Sequence, residues 1–109
     1  MSIINLLIRP WRGRACILCY HRVLPDAQYE QDKYNPNSNL IIPESYFESQ
    51  MKCLAKEFQV ISMDEMKEHL QSSSNEFKVA VTFDDGYKDN LNCALPILEK
   101  YNIPAIIYI

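Results

Sequence analysis

Glycine is scarce in this sequence, with two in 109 residues, and no repeat or low-complexity tract interrupts it. A fibrous or linker-like chain is thereby excluded, and a composition 48% apolar and 23% charged is that of an ordinary globular protein with one small core. Basic charge is not in excess: 11 lysines and arginines against 14 acidic residues leave a net charge of −3. Such a balance lacks the positive field that phosphate backbones require, so no nucleic-acid partner is expected. Long apolar runs are missing too. The run IINLLI at 3–8 is too short to span a bilayer and lacks the preceding positive charge and cleavage site of a secretory signal. No export address is readable, which favours a cytoplasmic or membrane-peripheral setting. Trp11 and the cluster Arg9, Arg12, Arg14 and Arg22 follow that run in the order an interfacial segment uses, leaving membrane-surface association open. A segment packed on the domain with a solvated basic face is the simpler reading.

Four cysteines, Cys16, Cys19, Cys53 and Cys93, include one C-x-x-C pair in ACILCYH. The pair lies in an apolar β-type run, where residues three apart face opposite sides of a sheet, and no second pair completes four ligands. All four are expected to be buried free thiols, with a reducing compartment favoured.

ACILCYHRV (15–23) reads as a buried strand. The segment 25–42, rich in Asn, Asp, Gln and Pro, reads as a long irregular loop. Pro43 opens an amphipathic helix with Phe47, Met51, Leu54 and Phe58 inward. After the short strand QVIS, Ser62 and Glu65 form a capping box for a second helix through Met66 and Leu70, with His69 solvated. FKVAVTF is the next strand. A helix over 88–101 follows, with Leu91, Leu95, Leu98 and Tyr101 inward and a kink or break at Pro96. IPAIIYI is a final apolar strand. Strands alternating with helices predict an α/β fold with a parallel sheet buried on both faces. Residues 1–14 read as an N-terminal extension and 15–109 as one domain. Because the last strand has no helix after it to cover it, that domain is expected to be the first part of a larger one.

The chemistry concentrates in VAVTFDDGYKDN (79–90), where an apolar strand runs into two adjacent carboxylates, Asp84 and Asp85, and then Gly86. Neighbouring carboxylates repel and resist desolvation, so a buried pair calls for a cation, a shared proton or strong donors. Solvated turn residues at a strand end are the plainer alternative.

ILCYHRV, IIPESYFESQMKCL, FQVISMDEM, VAVTFDDGYKDN and ILEKYNIPAIIYI, in that order, resemble the N-terminal part of polysaccharide deacetylases of the NodB-homology type. The resemblance implies part of an incomplete (β/α) barrel whose site residues sit at the C-terminal ends of the strands. Gly86 would then supply the torsion that turns both carboxylates to one site. It further implies that Asp85 is a metal ligand and Asp84 the general base that takes a proton from the attacking water, with a divalent metal, Zn2+ by expectation, as cofactor. The implied substrate is an N-acetylated glycan or glycolipid. His21, after Tyr20, would share the rim with Asp84, and a site role stands beside the reading as a hydrogen-bonded core histidine. Tyr87 replaces a proline common in the family, and Asp89 reads as a charge favourable at a helix N-terminus.

One departure is an absence. The family completes its metal site with two histidines separated by three residues, and neither His21 nor His69 has such a partner. One carboxylate is short of the three protein ligands of a catalytic zinc site. These 109 residues alone are therefore expected to hydrolyse nothing and to bind metal weakly. Two other readings stand: a non-catalytic glycan-binding remnant, and a Mg2+-dependent phosphoaspartyl phosphatase, whose family instead separates its two aspartates by one residue.

Overall fold

The computed structural model describes residues 14–109. The apolar run, Trp11, Arg9 and Arg12 lie outside the described residues. The elements in order are β1 (Ala15–Tyr20), β2 (Arg22–Leu24), α1 (Asp26–Asp32), a 3-10 turn (Ser38–Leu40), β3 (Ile41–Pro43), α2 (Glu44–Glu57), β4 (Gln59–Val60), α3 (Met63–Gln71), β5 (Lys78–Asp84), a π-helical turn (Asn90–Ala94), α4 (Leu95–Lys100) and β6 (Ala105–Tyr108). All strand pairs are parallel, as the alternation of strands and helices predicts.

β5 is the centre of the main sheet. β1 pairs along its whole length on one edge, from Ala15 opposite Lys78 to Tyr20 opposite Phe83. On the other edge β4 pairs with its start and β6 with its end, where Asp84 faces Tyr108. Five successive residues of β5, Val79 to Phe83, are buried, which is why the strand is apolar without alternation. Within the four-stranded sheet, a run of consecutive buried residues occurs only in this strand among the described residues. β1 is half-buried with Ile17 exposed, and all four residues of β6 are exposed, so the expectation of a sheet covered on both faces holds only at its centre.

The core lies between β5 and the helices α2 and α4, with Phe47, Met51, Val81, Phe83, Ile97 and Leu98 at its heart. Tyr20, Phe47 and Phe83 form an aromatic cluster with ring centroids 5.1–5.8 Å apart, ahead of the sheet's C-terminal end. The Ser62–Glu65 capping box is present: the Glu65 amide donates to Ser62 Oγ at 3.2 Å and the Ser62 amide to Glu65 Oε1 at 3.4 Å.

Four local expectations are corrected. The segment 25–42 is not an irregular loop throughout: it holds α1, the 3-10 turn and β3. α1 buries nothing, so no apolar period announced it; it is anchored where Asp26 Oδ1 accepts from the Ser45 amide at 3.0 Å, capping α2 from a distance. On α3 it is His69 that is buried, 6% exposed, while Leu70 is 48% exposed. His69 Nε2–H donates to the Arg14 carbonyl at 3.0 Å, and the Arg14 guanidinium donates to the carbonyls of His69, Ser72 and Ser74, so Arg14 is tied down rather than solvated. Of the cysteines, all free, only Cys93 is buried; Cys16 is half-buried and Cys19 and Cys53 are exposed. Finally, the helix expected over 88–101 is broken as Pro96 predicts. Pro96 stands in the first turn of α4, and the preceding turn is wound as a π-helix with Leu95 N–H bonded to Asn90 O. The wider turn shifts the helical phase, so Asn90, Cys93 and Ala94 face inward while Leu91 and Leu95 are exposed.

Candidate active site

β1 ends at Tyr20 and the chain resumes as β2 at Arg22, leaving His21 at the break; β5 ends at Asp84. With Cys19 opposite Thr82 and a side-chain period of two, Cys19, His21, Thr82 and Asp84 share one face at the C-terminal end of the sheet. The side chains meet there. Cys19 Sγ donates to Asp84 Oδ2 at 3.3 Å, and His21 Nε2 lies 3.7 Å from the same oxygen. Thr82 Oγ1 donates to the Leu18 carbonyl at 2.8 Å, holding the two strands in register beside them. Desolvation, and after it the hydrogen bond to Asp84, push the Cys19 thiol above its ordinary pKa.

Beyond Asp84 the backbone turns through two left-handed residues, Asp85 at φ 74° and Gly86 at φ 63°. The turn therefore begins one residue before the glycine that was expected to make it. An aspartate tolerates this region better than most residues, and the Asp85 amide donates to the Tyr108 carbonyl at 2.9 Å, which fixes the turn to β6. Asp85 is exposed and belongs to no group of three converging metal donors among the described residues. The group that does converge is Cys19, His21 and Asp84, whose ligand atoms lie within 4.8 Å of one another. These residue types suit a divalent cation of borderline softness.

A layer of residues behind the site holds the His21 break in place. Asp89 is buried, at 8% exposed, and is more than a helix-end charge. Its Oδ1 accepts from the Val23 amide and its Oδ2 from Arg22 Nε, both at 3.0 Å. Arg22 stacks 4.7 Å above the Tyr87 ring, and Asn90 Nδ2 donates to the His21 carbonyl at 3.0 Å. The helix after the aspartates thus grips 21–23 through consecutive residues. A cleft of about 210 Å3 is lined by Cys19, Tyr20, His21, Asn39 and Gln50 among others, and so includes two of the trio. A larger hollow of about 800 Å3 beside α4 and β6 is mainly apolar and includes none of the three.

A family profile described as Polysaccharide deacetylase matches residues 71–109. The chain is 33% identical over 95 residues to YxkH of Bacillus subtilis (strain 168), whose name provisionally assigns it to the polysaccharide deacetylases. That alignment takes in 84% of this chain and 30% of the relative. The structure is similar to a de-N-acetylase from Aggregatibacter actinomycetemcomitans, with a TM-score of 0.67 at 32% identity over 85% of this chain and 36% of that one. It is likewise similar to IcaB from Ammonifex degensii, with a TM-score of 0.71 at 28% identity over 88% of this chain and 38% of that one. Over most of its own length the chain is similar to part of a polysaccharide deacetylase. It spans about a third of the length of these relatives and resembles a portion of the deacetylase barrel.

Within this deacetylase portion, the structure brings His21 to Asp84. Cys19, Asp89 and Asn90 are the site residues that sequence reasoning missed. For Cys19 the sequence held only half a signal: C-x-H ends one strand and T-x-D its parallel neighbour, but only the register puts all four side chains on one face. No helix of the described residues is long and apolar enough to cross a membrane.

Proposed function

We propose that this site serves metal-dependent hydrolysis of N-acetyl groups on a glycan or glycolipid sugar, cleaving a carbon–nitrogen bond. The observation that carries the reading is Asp84: a half-exposed carboxylate at the C-terminal end of the central strand, with His21 Nε2 3.7 Å from its Oδ2. In that position it is open to solvent on one side and held on the other, as a general base acting on a water needs to be. Asp85 would hold the divalent cation, Zn2+ by expectation, which when bound supplies Lewis-acid polarisation of the acetyl carbonyl. Asp84 would take the proton of the attacking water while His21 orients its carboxylate, and that proton would pass to the leaving nitrogen as the C–N bond breaks, releasing acetate and the free amine.

Asp85 fits as one ligand of a catalytic set, which normally numbers three. The other histidine of the chain, His69, is committed to Arg14. These 109 residues are accordingly not expected to turn over alone.

The test is a chimera in which residues 15–109 replace the aligned segment of the Aggregatibacter de-N-acetylase. Release of acetate from an N-acetylated hexosamine oligomer, abolished by a chelator and restored by Zn2+, is the expected result. A folded chimera that binds the oligomer without releasing acetate would favour the glycan-binding reading instead.

A further inference from the structure

We propose that Cys19, His21 and Asp84 form a second cation site, specific for a thiophilic divalent ion such as Zn2+ or Cd2+ and built from this chain alone. Geometry is the first support. A tetrahedral ion with about 2.3 Å to sulfur and about 2.0–2.2 Å to nitrogen or oxygen separates sulfur from oxygen by about 3.5–3.7 Å and nitrogen from oxygen by about 3.3–3.6 Å. The Cys19 Sγ to Asp84 Oδ2 distance of 3.3 Å and the His21 Nε2 to Asp84 Oδ2 distance of 3.7 Å each come within about 0.2 Å of those separations. The third pair lies within 4.8 Å, so a small side-chain rotation closes the triangle.

Charge and support agree. When an ion enters, the S–H bond of Cys19 is replaced by a sulfur–metal bond and the proton passes to solvent. The donor set then carries one thiolate and one carboxylate, cancelling the charge of a dication, with a neutral imidazole as third ligand. Three protein ligands leave a fourth position for water, and the cleft of about 210 Å3 beside Cys19 and His21 provides the entry path. Outer contacts fix the backbone that bears the donors: Asn90 holds the His21 carbonyl and Thr82 the Leu18 carbonyl. The expectation of weak metal binding rested on a lone carboxylate, whereas this trio supplies three donors of three kinds.

The consequence for catalysis rests on the function proposed above: an ion bound here in excess of the one Asp85 would hold occupies Asp84 and removes the general base, so Zn2+ should support turnover at one equivalent and inhibit it beyond that. Binding itself does not depend on that reading, and it is measured without turnover.

The experiment is a Cd2+ titration of the full 109-residue chain, read by thiolate-to-metal charge-transfer absorbance in the ultraviolet. A single saturable equivalent is expected. Cys19→Ser should abolish the band, and His21→Ala should weaken binding at least about tenfold, the lower bound for losing even an outer-sphere partner. Cys53→Ser and Asp85→Asn should keep the band. Alkylation mapped by mass spectrometry needs no variant, because Cys53 is also exposed and serves as an internal control. Cd2+ should protect Cys19 and leave Cys53 reactive. A band that survives Cys19→Ser, or Cys19 alkylated equally with and without the ion, would overturn the proposal.

Discussion

Asp89 and Arg22 form an ion pair, Nη2 to Oδ2 at 3.0 Å, in which the aspartate side chain is only 10% exposed and the arginine 34%. Because Asp89 also accepts from the Val23 amide, it ties the break at His21 to the helix that follows the aspartate turn. Removing the carboxylate leaves a guanidinium and a buried amide without their partner. Asp89→Ala should therefore cost about 3 kcal/mol of stability, the low end for breaking a buried pair because Arg22 is partly solvated. Chemical denaturation of the two proteins measures this. A loss under about 1 kcal/mol would show that the pair is no more than a surface contact.

The two left-handed residues of the aspartate turn respond oppositely to substitution. Asp85 sits at φ 74°, where glycine is freer, so Asp85→Gly should leave the fold at least as stable, with a gain of up to about 1 kcal/mol, while removing a proposed ligand. Gly86 is at φ 63°, and an added Cβ would meet only Ile109 Cγ1 at an ordinary 3.5 Å, so Gly86→Ala costs about 1 kcal/mol through backbone strain alone. Denaturation midpoints that move the same way in both variants would contradict this account of the turn.

Tyr20 governs alkaline stability. Burial against Phe47 and Phe83, with a smaller contribution from Cys16, pushes its phenol from the ordinary 10.0 up to about 12. Between those two pH values the unfolded chain has released the proton and the folded chain keeps it, so stability falls as pH rises from 10 to 12. Below 10 the group adds no pH dependence. Tyr20→Phe loses the hydrogen bond to Gln50 Oε1 but should flatten this alkaline fall. Melting temperatures measured across that window decide it, and an identical slope in the variant would refute the assignment.

Much of the fold was legible because the apolar residues follow their structural periods. The unbroken run VAVTF has no alternation because β5 is covered on both faces, and Phe47, Met51 and Leu54 mark the inward stripe of α2. What escaped was set by partners distant in sequence. α1 is polar all round and exists through the cap that Asp26 gives to Ser45; His69 is inward because Arg14 meets it; Leu91 is outward because the π-turn before Pro96 shifts the phase. At the site, His21 and Asp84 could be expected at one rim from strand order alone. Cys19 could not be singled out without the register that sets it beside Asp84, since an apolar strand offers the same face to a core thiol.

The division of labour between the adjacent aspartates is the central claim, and metal content measured alongside turnover in the chimera tests it most directly. In a Cys19→Ser background, which removes the second cation site, Asp84→Asn should retain the cation held through Asp85 and lose about 100-fold or more in kcat, the usual worth of a general base. Asp85→Asn in that background should lose both cation and turnover. A chimera in which Asp84→Asn empties the metal site while Asp85→Asn keeps metal and activity would contradict the assignment of base and ligand.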